Sequence, residues 1–133
     1  MNQTIIKNGF ILAAFMNFNV LLFSRGFTNV AINEADPVVM SNFGLLMIVV
    51  WGLAYLAAAN IGTGIKWLAG VFAVEKLIYG VIWVNWLLGN SLEGVYEKDL
   101  FAGLFYSVYG INDFVFMLFF AWVFLGLSKD SQS

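Results

Sequence analysis

Four runs of the sequence, residues 9–27, 42–60, 65–88 and 100–127, are almost continuously apolar. A helix rises 1.5 Å per residue, so about 20 residues cross the roughly 30 Å hydrocarbon core of a bilayer. The last run contains FVFMLFFAWVFLGL, which has none of the two-residue alternation of a membrane barrel strand. Each run therefore predicts a spanning helix. A soluble chain has nowhere to put them: 62% of the 133 residues are hydrophobic and 11% charged, against about 25% charged in soluble domains. A small domain also leaves a large part of its surface in water. The expected fold is an all-α integral membrane protein, an up-down four-transmembrane-helix bundle forming one domain over residues 1–133.

The residue types that are missing narrow the chemistry. Net charge is −2 with no basic block, so nucleic acid is not an expected partner, because phosphate contacts need clustered Lys and Arg. There is no cysteine and no histidine. That excludes disulfides, thiolate catalysis, His- or Cys-ligated haem, histidine acid–base chemistry and His/Cys zinc sites. No cofactor, metal site or catalytic residue is predicted. A signal peptide is a rival reading of the first run, with Lys7 as its basic region. No small-x-small cleavage site follows, and Asn17, Asn19 and Arg25 interrupt or close the run.

The connections carry the orientation. A tight turn at Gly62-Thr63-Gly64 leads into Lys66, a longer loop over residues 28–41 holds Pro37, and an acidic loop covers residues 89–99. Lys7, Lys66, Lys129 and the amino terminus fall on one side, Arg25 and Lys98 on the other. The excess of Lys and Arg on cytoplasmic ends then predicts both termini in the cytoplasm, in a plasma (inner) membrane. Trp67 and Trp122 are expected at the inner interface, Trp86 and Tyr96 at the outer one.

Three charges resist a lipid-facing helix: Glu75 and Lys76 in the third run and Asp113 in the fourth. A charge at the centre of a span costs about 2.5–3.5 kcal/mol, so three left unpaired cost roughly 8–10 kcal/mol. They are expected to face the bundle interior. Helices three and four run in opposite directions, yet these charges fall at the same depth, and Asn17, Trp51 and Tyr55 are central in the first two runs. All four helices thus offer polar or amphipathic groups near the midplane, where membrane bundles place substrate and ion sites. Lys76 shares a helical face with Ala69, Ala73, Gly80 and Trp83, which suits close packing. Glu75 shares another with Leu68, Tyr79 and Ile82. Gly103, Ser107 and Gly110 form a small-residue groove one turn from Asp113. The expected pair is Lys76 with Asp113, leaving Glu75 as the surplus carboxylate with Tyr79 as its neighbour.

The candidate ligand- or ion-binding set is therefore Glu75, Asp113, Lys76, Asn17, Tyr79, Trp51 and Tyr55. It predicts a small polytopic membrane protein that binds or transports an ion, proton or small amphipathic molecule. Buried ion pairs and Asn or Tyr hydrogen bonds also lock helices in register with no ligand involved. The alternative is accordingly an accessory subunit of a larger membrane complex or a homo-oligomer, with the lipid bilayer as the common partner. A third reading, a membrane enzyme acting on lipid, rests on a Ser107–Lys76 nucleophile pair. In size and helix count the chain resembles small multidrug exporters and small four-helix families of the DoxX kind. An exporter of that type carries its membrane acid in the first helix, where this chain has Asn17 and Asn19, so no family is assigned.

Overall fold

The computed structural model describes residues 2–61 and 64–131, with side chains described through Leu127. Gly62, Thr63 and the Lys129 side chain lie outside the described residues. The described chain is helical: α1 (Gln3–Phe18), α2 (Val20–Phe23), α3 (Val30–Ala35), α4 (Asn42–Ala58), α5 (Ile65–Gly89), α6 (Leu92–Lys98) and α7 (Leu100–Ser131). Three stretches, Gln3–Phe23, Ile65–Gly89 and Leu100–Leu127, are long and apolar enough to cross a membrane, which fits an integral membrane protein. The fourth apolar helix, α4, has 17 residues, about 25 Å at 1.5 Å per residue.

The first span begins and ends earlier than expected. It starts at Gln3 because the Asn2 side chain accepts from the backbone N–H groups of Thr4 and Ile5, two of the donors a helix start leaves open. It stops at Phe23, short of residue 27, because Arg25, Gly26 and Phe27 all take positive φ, 50°, 67° and 68°. Arg25 and Phe27 are strained there at about 1–2 kcal/mol each. The turn holds because the Ser24 hydroxyl accepts from the Phe27 N–H at 3.0 Å, and the Thr28 hydroxyl donates to the Arg25 carbonyl at 2.8 Å. At α4 the helix closes in a turn at Ala59 and Asn60. Gly64, with φ 75°, supplies the left-handed residue before α5 that glycine tolerates best.

Helix partners alternate in direction. Along α5 and α7, Trp67 meets Phe124, Lys76 meets Asp113, and the Trp83 indole donates to the Tyr106 carbonyl. One index rises as the other falls, so these helices are antiparallel. The same reversal relates the first span to α7, through Phe10 with Phe120 and Phe23 with Phe105. Helix α4 lies along α1, with the Asn17 amide donating to the Ile48 carbonyl at 3.0 Å. Packing of this kind relies on close approach, because lipid gives apolar side chains no reason to prefer protein. Glycine provides it: a Cβ at Gly110 would overlap the Trp83 ring, and one at Gly103 the Tyr96 ring. The small-residue groove along Gly103, Ser107 and Gly110 is thus filled by the Tyr96 and Trp83 rings.

Both long loops contain helices that sequence reading left out. Ser91 starts α6 by accepting from the Gly94 N–H at 3.1 Å. Helix α3 is held from below by two aromatic donors: the Trp86 indole reaches the Ala35 carbonyl at 2.9 Å and the Tyr106 hydroxyl reaches the Ile32 carbonyl at 2.7 Å. Trp86 is consequently 5% exposed and stacked on Tyr106 at 4.4 Å. It is a core residue, not a member of an interfacial belt, because its N–H is satisfied inside the protein. Trp67 and Trp122, at the other end, are 67% and 48% exposed.

Asp99 joins the loops on the Trp86 side. Its carboxylate accepts from the Ala102 N–H at 2.9 Å, capping α7, from the Asn29 amide at 2.7 Å, and from the Arg25 guanidinium at 2.7 Å. Desolvation pushes this carboxyl up, but the hydrogen bonds from Arg25, Ala102 and Asn29 prevail and hold it below the usual range.

Two apolar clusters divide the interior. One gathers Phe10, Tyr55, Phe72, Phe116 and Phe120. The other gathers Val20, Ile32, Trp86, Phe105 and Tyr106. Outward-facing Leu12, Phe15, Val74, Leu118 and Leu125 are each more than half exposed, a rim suited to lipid contact.

Candidate functional site

Between the two clusters lies a buried polar layer. Lys76, at the centre of α5, is reached from two other helices. Its Nζ donates to Asp113 Oδ1 of α7 at 3.0 Å and to Asn17 Oδ1 of α1 at 2.9 Å. The side chains of Lys76 and Asp113 are 2% and 9% exposed, and the ammonium sits 5.1 Å from the centre of the Tyr55 ring, within cation–π range. Close approach on this side follows from Gly80, one turn along α5, which lies under the Phe114 ring of α7. Asn112 adds an amide donor to Asp113 Oδ1 at 3.3 Å. The pair expected from depth alone is present, with Asn17 as its third member.

Glu75 has a different partner from the one its own helix suggested. The Tyr55 hydroxyl of α4 donates to Glu75 Oε1. Tyr55 is positioned by Phe72, which its ring meets edge-on at 4.8 Å. Phe72 and Glu75 are three residues apart and so share a helical face. Tyr79 is half-buried beside the layer, and among the described residues it makes no side-chain hydrogen bond to either charge. Packing across α4 and α5, which residue spacing within α5 does not report, decided this contact.

Next to the layer is a cavity of about 60 Å³, lined on its polar side by Asn17, Glu75, Lys76, Tyr79, Tyr109, Asn112 and Asp113. That volume admits about four waters at roughly 15 Å³ each. Tyr109 was not singled out from the sequence. It is 7% exposed, and its hydroxyl is buried with no hydrogen-bond partner among the described residues. Left without a partner, such a group costs about 1–3 kcal/mol. The signal was available: Tyr109 precedes Asp113 by four residues and so shares its face of α7.

Other candidates are placed elsewhere. Trp51 stands edge-on to Phe72 at 6.2 Å within the first apolar cluster, outside the cavity wall, so it belongs to packing and not to the polar set. The Ser107 hydroxyl bonds the Gly103 carbonyl at 2.8 Å and lies 2.6 Å from the Tyr96 hydroxyl. With Lys76 held by Asn17 and Asp113, no Ser107–Lys76 nucleophile pair forms. Ser24, which shares a face with Asn17, is consumed by the turn it supports.

Chemically, the layer brings two carboxylates and one ammonium together. With all three ionised its charge is −1, and the Lys76 ammonium already donates to two oxygen partners. The arrangement suits a further cation or proton and disfavours an anion. No cluster of three or more His, Cys, Asp or Glu among the described residues is arranged to hold a metal ion. No protein-family model matches the chain, and no curated protein or solved structure does either.

Proposed function

We propose that the chain is an up-down four-helix membrane bundle whose midplane cavity binds a proton, a small cation or the cationic end of a small amphipathic molecule. The observation that carries this reading is that one cavity is lined both by a surplus carboxylate, Glu75, and by Tyr109, whose hydroxyl has no hydrogen-bond partner among the described residues. A layer serving only to fix helix register would satisfy its own polar groups. In this reading Lys76, Asp113 and Asn17 form a fixed, internally balanced wall. Glu75 is the exchanging group, held in place by Tyr55, and Tyr109 completes the ligand's hydrogen bonding.

Glu75→Gln tests it with the proton as ligand. The amide keeps the shape of the carboxyl and loses the charge, so the variant is expected to insert normally and to match or exceed wild-type thermal stability in detergent. Its midpoint should no longer respond to pH between about 5 and 8, because the exchanging proton that links stability to pH is gone. Lower stability at every pH, with the response intact, would reject Glu75 as the exchanging group.

In the same proposal the bundle sits in the plasma membrane with both termini cytoplasmic, α4 being completed as a span by the turn at Ala59 and Asn60. Single cysteines placed at Asn2 and Ser131 are expected to react with an impermeant thiol reagent only from the cytoplasmic side, and one at Asn90 only from the other. Termini that label from opposite sides would end the even-span topology.

A further inference from the structure

The cavity is shut along the membrane normal and reachable from the side. Toward one membrane face it is closed by the polar layer of Asn17, Lys76 and Asp113, toward the other by Val20, Phe23, Phe105 and Tyr109 of the cluster around Trp86. Its remaining wall is the seam between the first span and α7. There Met16 is 38% and Val108 42% exposed, Asn19 is exposed and Asn112 is half-buried, and all four line the cavity. The first span is also interrupted at this level, since Asn19 separates α1 from α2. In a bundle with this outward apolar rim, the seam faces lipid.

Resting on the reading of the cavity as a cation site, we infer that its ligand is a primary-amine amphiphile that arrives from within the bilayer. Its ammonium head enters between Asn19 and Asn112 while its apolar chain stays in lipid beside Met16 and Val108. An inorganic cation taking this route has to shed its water in hydrocarbon, which costs far more than any single contact returns. An amphiphile does not cross that barrier, because its chain is already dissolved in the membrane. The head has to be small, since about 60 Å³ holds an ammonium and a few waters. Its N–H donors find the Glu75 carboxylate, on a wall that Tyr109 also lines, while the layer's charge of −1 excludes a phosphate or carboxylate head.

The test uses the full chain in lipid nanodiscs with radiolabelled dodecylammonium and methylammonium, each counted against protein-free discs of the same lipid. Dodecylammonium is expected to show excess binding at least about tenfold tighter than methylammonium, and Glu75→Gln to weaken it about tenfold. Val108→Trp, at the mouth, should slow both loading and release about tenfold, whereas Ile111→Trp, 55% exposed and off the cavity wall, should change neither. If Val108→Trp fails to fold, Asn112→Phe blocks the same seam. Methylammonium binding as tightly as dodecylammonium, or rates untouched by a folded mouth variant, would overturn the lateral route and leave the cation site standing. Binding of neither amine, together with a Glu75→Gln variant that keeps its pH response, would overturn the cation site itself.

Discussion

Replacing Lys76 by methionine, or Asp113 by asparagine, is expected to cost about 3–5 kcal/mol of stability, the range for stranding one member of a buried pair. The double variant should lose less than the sum, with a coupling of about 1–3 kcal/mol in a thermodynamic cycle. The physical reason is asymmetric. A methionine fills most of the volume of the lysine stem, so packing is nearly kept, but Asp113 is left without its cation at 9% exposure. Removing both charges leaves the neutral Asn112 and the neutral Asn17, which keeps its bond to the Ile48 carbonyl. Equilibrium unfolding of the four proteins in mixed micelles provides the measurement, and single losses that add to within about 0.5 kcal/mol would show the contact to be energetically idle.

Gly110→Ala is expected to destabilise the protein by about 1–3 kcal/mol or more, although the same change in an unencumbered helix stabilises by up to about 1 kcal/mol. The sign is set by Trp83. Its ring lies where the new methyl would go, and it cannot retreat, because its N–H is bonded to the Tyr106 carbonyl at 2.7 Å and its ring abuts Tyr109. Adding the methyl therefore pushes α5 and α7 apart or breaks that bond. Gly103→Ala gives the useful contrast. Its obstacle, Tyr96, is 36% exposed and can swing outward at the expense of its contact with the Ser107 hydroxyl, whose place water can take, so a loss of about 1 kcal/mol is expected, at the mild end of overpacking. Gly89, with nothing near its missing Cβ, serves as the neutral control. Thermal unfolding of the three variants ranks them, and a Gly110→Ala protein as stable as Gly89→Ala would mean that the Trp83 contact does not govern the helix spacing.

Much of the fold was legible because hydrocarbon imposes a simple rule, a minimum length of apolar chain. The runs at residues 65–88 and 100–127 fall within a few residues of α5 and α7. Depth was legible too: antiparallel helices with charges at their centres have to bring those charges together, as Lys76 and Asp113 show. Contacts across helices were less so. The Tyr55 hydroxyl reaches Glu75 through the rotation of α4 against α5, a quantity with no counterpart in the spacing of either helix. The first span ended early because of three left-handed residues, two of which are types that rarely adopt that conformation. Helices α3 and α6 are six and seven residues long, too short to show a periodic pattern. Trp86 misled for another reason: an aromatic near a span's end satisfies the interfacial-belt rule whether its N–H meets water or, as here, the Ala35 carbonyl.

The cap of α7 has an unusual history built into it. Asp99 belongs to the helix it starts, but the groups that neutralise and orient it, Arg25 and Asn29, were laid down 74 and 70 residues earlier. Closing a loop of that size costs about 4 kcal/mol in chain entropy, far more than a cap returns, so the clasp cannot form by itself. It closes only after the apolar spans have docked and brought the chain's first loop beside its last helix. The first turn of the final helix is thus completed by residues near the beginning, which makes Asp99 a latch that registers finished assembly.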